Sequence, residues 1–168
     1  MAAIDQAIAY AEIADAGAIH VMAGKADGRA AHRTFVDNLR HACDGTDRMI
    51  LIEPLNRHDA PGYFLKTTDQ ARDVIADVGR SNLKMMFDCY HVGRTEGDVL
   101  ARLDKMLPLI GHIQFASVPD RGPPDQGELD YKAVFAHLDA LGWTRPLGAE
   151  YRPRGGTAAS LGWMKGAP

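Results

Sequence analysis

Acidic or amide side chains stand at the ends of four successive short apolar segments of the chain. The residues are Glu53, Asp88, Gln114 and Glu150. Three carboxylates brought together without a cation would repel one another and raise each other's pKa. Carboxylate and amide oxygens are the ligands that hard divalent ions such as Mg²⁺ and Mn²⁺ prefer. The set therefore predicts a site for one such ion, although each residue alone is also explained as a polar side chain that reaches solvent.

Two further side chains follow these segments closely. His91 lies three residues after Asp88, and Arg121 lies in the loop after Gln114. Both are suited to contact an anionic or carbonyl-bearing substrate, and both are also explained as surface loop residues. The other histidines show no ligand spacing and are interpreted as structural; they are His20, His32, His41, His58, His112 and His137.

The segment that ends at Glu53 predicts how these side chains are positioned. Residues 49–52 are all apolar, and Pro54 after the glutamate cannot continue a strand ladder. A short apolar run bounded in this way is typical of a buried strand in a parallel sheet. Ligands bind at the carboxyl ends of such strands, so the glutamate is placed where a site would form.

The same criteria for strands and helices, applied to the whole chain, predict an α/β fold in a single domain. Strands are predicted over residues 18–24, 49–53, 83–88, 110–116 and 146–151. Helices are predicted over residues 3–16, 30–43, 68–78, 95–106 and 130–141, with Thr68 and Thr95 as N-caps. This alternation favours a parallel sheet with right-handed crossovers. The loop over residues 57–64, which contains Pro61-Gly62, is predicted to be a substrate flap.

Composition excludes several classes of function. The net charge of −3 and the lack of a basic stripe argue against a nucleic-acid partner and favour a small-molecule substrate. Cys43 and Cys89 form neither a disulfide framework nor a zinc motif, which indicates reduced cysteines in a cytoplasmic protein. No apolar run approaches the roughly 20 residues of a membrane span. The first residues also lack the layout of a signal peptide.

Several motifs together are similar to those of the hydroxypyruvate isomerase family. They are Ile52-Glu53-Pro54-Leu55-Asn56, Phe87-Asp88-Cys89-Tyr90-His91, His112-Ile113-Gln114, Pro119-Asp120-Arg121, Gly127-Glu128-Leu129-Asp130-Tyr131 and Glu150-Tyr151-Arg152-Pro153. The tail from Thr157 to Trp163 also resembles that family, so the match runs from about Ala18 to Trp163. The family belongs to the sugar isomerases and epimerases that are built on TIM (β/α)8 barrels.

This resemblance implies a metal-dependent isomerase that interconverts hydroxypyruvate and tartronate semialdehyde through an enediolate, without a redox cofactor. By the same resemblance Glu53 and Glu150 are the catalytic acid/base pair and also metal ligands. Asp88 and Gln114 complete the coordination of a divalent ion, Mg²⁺ or Mn²⁺, while His91 and Arg121 hold the substrate.

The chain differs from the family at its N-terminus. A TIM barrel takes about 250 residues, whereas this chain of 168 residues offers five predicted strands that resemble the fourth to the eighth. We therefore expect residues 1–168 to form a partial xylose-isomerase-like barrel, truncated at its N-terminus by three βα units. An open half-barrel is expected to be dimeric or prone to aggregate, because its edges and inner face are uncovered.

Three alternatives remain open at this point. The chain could act on a related sugar acid or ketose, such as a 2-oxo-tetronate, as an isomerase or an epimerase. It could be a catalytically silent fragment that folds only by association. A metal-dependent phosphoesterase of the same superfamily acting on DNA would need a basic face and more histidine ligands, and the charge of −3 argues against it.

Overall fold

Five parallel strands form a single sheet in the computed structural model, which describes residues 1–166. The strands are β1 (Ala18–His20), β2 (Met49–Ile52), β3 (Leu83–Asp88), β4 (Ile110–Phe115) and β5 (Leu147–Ala149). Their order in the sheet is their order in the chain, and every neighbouring pair is parallel. The predicted partial barrel with five parallel strands is therefore confirmed.

Helices connect the strands in the predicted alternation. They are α1 (Ala2–Ile13), α2 (Gly28–Asp44), α3 (Thr68–Val78), α4 (Cys89–Thr95), α5 (Val99–Met106) and α6 (Tyr131–Ala140). Short 3₁₀ turns cover Leu107–Leu109 and Ala158–Gly166. Within residues 1–166, no helix has both the length and the apolarity that crossing a membrane requires.

One predicted helix cap and one predicted helix start were wrong. Thr67, and not Thr68, caps α3, since its side chain accepts a hydrogen bond from the Gln70 N–H. The helix predicted from Thr95 starts at Val99 instead. Gly97 and Asp98 take positive φ angles of 68° and 39°, and this conformation interrupts the helix. The residues before this break form α4, a short helix that the sequence pattern does not predict.

The core lies between the helices and one face of the sheet. On β3, the side chains of Leu83, Met85 and Phe87 are buried in this core. Side chains alternate along a strand, so Met86 and Asp88 point to the opposite face. Because Leu83, Met85 and Phe87 pack into the core, Asp88 projects from the opposite face at the carboxyl end of the strand.

The inner face is less open than an uncovered half-barrel would be. Met22 is 56% exposed, as expected, but Leu51 and Met86 are buried. Gly111 on β4 explains part of this burial. A Cβ atom there would lie 2.4 Å from the Met49 sulfur and 2.9 Å from Leu51 Cδ2, so these side chains lie directly over the glycine backbone.

The two edges of the sheet predict self-association. Strands β1 and β5 each have one strand neighbour within residues 1–166, so each leaves backbone donors and acceptors on its other side. We expect sedimentation velocity to show dimers or larger species at micromolar concentration. Met22→Lys, which places a charge on the exposed inner face, should weaken this association. A strictly monomeric wild-type chain over that range would contradict the prediction.

Candidate active site

The carboxyl ends of the strands open into a cleft of about 380 Å³. The predicted site residues in its lining are Glu53, His91, Gln114, Arg121 and Glu150. Asp88 lies at the base of the same site, where its Oδ2 is 3.7 Å from His91 Nε2. The structure thus brings all six predicted residues to one place, although they occupy different positions within it.

Glu53 and Asp88 are the most deeply buried acids of the site, at 5% and 1% exposure. Glu53 directly follows β2, and burial raises its pKa to about 8, with further contributions from the charges of Asp88 and Glu150. Burial likewise raises the pKa of Asp88 to about 7. One oxygen of Asp88 caps α4 by accepting from the Tyr90 N–H at 2.8 Å, which leaves Oδ2 for the site.

Three oxygen atoms of the site lack a hydrogen-bond partner among the described residues. They are Glu53 Oε1, Asp88 Oδ2 and Gln114 Oε1. Asp88 and Gln114 are register partners across β3 and β4, so their side chains stand at the same level. Buried polar atoms without a partner are costly in free energy. A divalent cation would satisfy all three oxygens, and the hard oxygen donors fit Mg²⁺ or Mn²⁺.

His91 lies on α4 beside the two buried acids. Its Nε2 atom is 3.8 Å from Glu53 Oε1 and 3.7 Å from Asp88 Oδ2. These three side chains form a cluster whose ligand-type atoms all lie within 4.8 Å of one another. Burial, together with the charge of Arg121, lowers the pKa of His91 to about 4, so the ring is neutral at physiological pH.

Glu150 stands outside this cluster, at the rim of the cleft. Its side chain is 51% exposed and its Oε1 pairs with Arg121 Nη2 at 2.9 Å. Arg121 is also 3.9 Å from Asp88 Oδ2 and lies over the Tyr90 ring, 5.2 Å from its centroid. This pairing occupies one oxygen of Glu150 and leaves Oε2 for a cation.

His20 also lies at the site, although its spacing in the sequence predicts a structural role. It ends β1, and its Nε2 atom is buried without a hydrogen-bond partner in residues 1–166, 3.6 Å from Glu53 Oε2. The sequence predicts a strand over residues 18–24, which places His20 inside the strand and not at its carboxyl end. The strand ends at His20 instead, so this side chain reaches the same sheet edge as the acids.

The predicted flap contributes to the cleft in a different way from that expected. Asp59 and Ala60 line the cleft, whereas the aromatic residues Tyr63 and Phe64 are buried in the core. The Phe64 N–H also donates to the Gly24 carbonyl at 2.9 Å. The aromatic end of the loop is therefore anchored, and the end nearer β2 faces the site.

The chain can be assigned to a protein family that has this fold. The chain matches the model of the xylose isomerase-like TIM barrel family over residues 1–167, and it belongs to that family. This match confirms the resemblance that the motifs predicted.

Three individual proteins are similar to nearly the whole of this chain. The chain is 44% identical to the 2-oxo-tetronate isomerase of Cupriavidus necator, over 96% of this chain and 65% of the relative. It is 38% identical to the hydroxypyruvate isomerase of Escherichia coli, over 94% of this chain and 64% of the relative. A crystal structure of an AP endonuclease, family 2, from Brucella melitensis superposes with a TM-score of 0.93 at 37% identity, covering 97% of this chain and 66% of that one. The chain thus spans slightly less than two thirds of the length of these relatives.

Proposed function

We propose that this chain carries the active site of a metal-dependent isomerase that interconverts hydroxypyruvate and tartronate semialdehyde. The observation that carries the proposal is the set of buried oxygens of Glu53, Asp88 and Gln114 that have no partner in the described part of the chain, with Arg121 beside them. This set supplies a cation site and a cationic side chain for an acidic substrate. The names of the relatives from C. necator and E. coli support an isomerase of a short sugar acid.

The chemistry is a proton transfer between neighbouring carbons. Glu53 removes a proton from the hydroxyl-bearing carbon of hydroxypyruvate, and Glu150 delivers a proton to the adjacent carbon. The hydroxyl proton moves to the former carbonyl oxygen, so the product is an isomer and no electrons leave the substrate. Without a cation, burial raises the pKa of Glu53 to about 8. A cation bound beside it would lower that pKa, so that the ionised carboxylate can take a proton from carbon near neutral pH.

The other residues bind and orient the substrate. Arg121 is placed to pair with the substrate carboxylate, in exchange for its contact with Glu150. His91 is placed to contact a substrate oxygen above the two buried acids. A divalent ion held by Glu53, Asp88, Gln114 and Glu150 would stabilise the negative charge that develops on the substrate oxygens.

The proposal is tested by incubating the chain with Mg²⁺ and either hydroxypyruvate or 2-oxo-tetronate, and following each by ¹H NMR. Conversion of hydroxypyruvate to tartronate semialdehyde supports the proposed reaction. Conversion of the four-carbon acid alone would move the assignment to the related isomerase that the C. necator relative represents. Conversion of neither, by a folded and metal-loaded chain, would contradict the proposal.

Arg121→Gln is expected to raise KM for hydroxypyruvate by about tenfold or more, because a hydrogen bond to a charged group is worth about 1.5 to 3 kcal/mol. The proton-transfer residues remain, so kcat should fall less than kcat/KM. Arg29→Gln, at an exposed arginine of α2, is the matched control and should behave like the wild type. An unchanged KM in Arg121→Gln would remove this residue from substrate binding.

A second candidate is a site that becomes active only on association, and the open edges of β1 and β5 favour it. Specific activity measured against protein concentration separates the two cases. Activity per chain is constant if the single chain is competent, and it rises with concentration if association completes the site.

The B. melitensis protein is named an AP endonuclease, so cleavage of a phosphoester bond in DNA is another activity to test. The net charge of −3 and the single histidine in the cluster of ligand-type atoms argue against it. Cleavage of DNA containing an abasic site, together with failure of both isomerase assays, would favour it.

A further inference from the structure

We propose that Asn56 is a positioning residue that fixes the tautomer of His91, so that His91 presents an N–H group to the cleft. The catalytic consequence of this tautomer rests on the proposed isomerase function. The tautomer itself rests only on the hydrogen bonds around the two side chains.

The inner ring nitrogen of His91 faces two donors, both from Asn56. The Asn56 backbone N–H donates to His91 Nδ1 at 3.1 Å, and Asn56 Nδ2 lies 2.7 Å from the same atom. A backbone N–H group can only donate. The Nδ1 atom must therefore carry a lone pair, and the proton of the neutral ring lies on Nε2.

The orientation of the Asn56 amide is fixed as well. Its Oδ1 atom accepts from the backbone N–H groups of His58 and Asp59, each at 3.0 Å. Its Nδ2 atom donates to Asp59 Oδ2 at 3.1 Å, and the Tyr90 hydroxyl donates to that same oxygen at 2.7 Å. Rotating the amide by half a turn would bring oxygen against oxygen, so the NH₂ group must face His91.

This tautomer determines what His91 can do in the site. The Nε2 atom lies 3.7 to 3.8 Å from Asp88 Oδ2 and Glu53 Oε1, within the cluster of ligand-type atoms. A histidine binds a metal through a lone pair, and this Nε2 has none. His91 is therefore excluded from the ligand set that its position suggests. It donates a hydrogen bond to a substrate oxygen, while the oxygens of Glu53, Asp88 and Gln114 remain for the cation.

The first test is the spectrum of the wild-type chain. Two-bond ¹H–¹⁵N correlation NMR of the ¹⁵N-histidine-labelled chain at neutral pH distinguishes protonated from unprotonated ring nitrogens, and His91→Gln identifies the His91 signals. We expect His91 to show a protonated Nε2 and an unprotonated Nδ1. A protonated Nδ1 in the wild type would overturn the proposal, whatever the result of any Asn56 substitution.

The second test is Asn56→Asp, which keeps the acceptor for His58 and Asp59 and removes both side-chain donors. The backbone N–H of residue 56 remains, but the substitution puts a carboxylate oxygen in place of the Nδ2 atom that lies 2.7 Å from His91 Nδ1, and a charged acceptor there favours a proton on Nδ1 over the backbone donor. We expect the Nδ1–H tautomer of His91 to become populated and kcat/KM for hydroxypyruvate to fall by about tenfold or more, since a lone pair then faces the substrate oxygen. Asn82→Asp is the matched control, because Asn82 donates to the carbonyls of Cys43, Thr46 and Arg48. It should leave the His91 signals unchanged.

The outcomes separate the two proposals. An unchanged tautomer in a folded Asn56→Asp chain would show that the asparagine side chain does not position His91. The predicted tautomer change, combined with an absence of isomerase activity in the wild type, would support the positioning role and reject the proposed reaction. If Asn56→Asp does not fold, the wild-type spectrum still decides the tautomer.

Discussion

Glu53→Gln is expected to lower kcat for isomerisation by about 10²- to 10⁴-fold, the usual contribution of a general acid–base group. The glutamine has the same shape as the glutamate but cannot take a proton from carbon at neutral pH. It also lacks the charge that a cation site needs, so metal affinity should fall together with kcat. Kinetics with saturating Mg²⁺ would separate the loss of the base from the loss of the metal.

The fold of this variant is expected to be intact. Burial raises the pKa of Glu53 in the folded chain to about 8, above its ordinary value of 4.5, so ionisation of Glu53 destabilises the metal-free folded state as pH rises from about 4.5 to about 8. Glutamine removes that cost, and its melting temperature at pH 8 should be no lower than that of the wild type. Glu12→Gln, at an exposed glutamate of α1, controls for the general effect of losing one carboxylate. Near-normal turnover in Glu53→Gln would end the proposed role of this residue.

Removal of the divalent ion should have an effect of similar size. We expect exhaustive chelation to abolish isomerisation, and Mg²⁺ or Mn²⁺ to restore it better than Ca²⁺, whose preferred coordination is larger and looser. Asp88→Asn should weaken the binding of Mn²⁺, measured by calorimetry, because Asp88 Oδ2 is one of the buried oxygens that no group in residues 1–166 satisfies. Full activity in a chain shown by elemental analysis to be metal-free would mean that these oxygens serve another purpose.

The sheet was predictable because each strand is an apolar run that ends at a polar residue or a turn former. The split between α4 and α5 was harder to predict, since it depends on the left-handed backbone at Asp98 and on the capping of α4 by Asp88. An aspartate after a strand can be a ligand, a cap or both, and only the structure shows that its two oxygens are divided between these tasks.

The residues of the candidate site could be predicted from the sequence, but the contacts among them could not. The acids could be located because parallel strands bring their carboxyl ends to one edge. The pairing of Arg121 with Glu150 was not predictable, because it joins residues 29 positions apart and occurs where Arg121 takes a positive φ of 57°, a conformation that arginine rarely adopts. The contact of Asn56 with His91 joins residues 35 positions apart, and no local pattern in the sequence indicates it.

The most direct test of metal-dependent isomerisation at this site is ¹H NMR of hydroxypyruvate incubated with the Mg²⁺-loaded chain, the chelated chain and the Glu53→Gln variant. We expect tartronate semialdehyde to form with the loaded wild type, and conversion to fall to the uncatalysed rate in the other two samples. Equal conversion in all three samples, or none by the folded, loaded wild type across the concentration range in which it associates, would contradict the proposal.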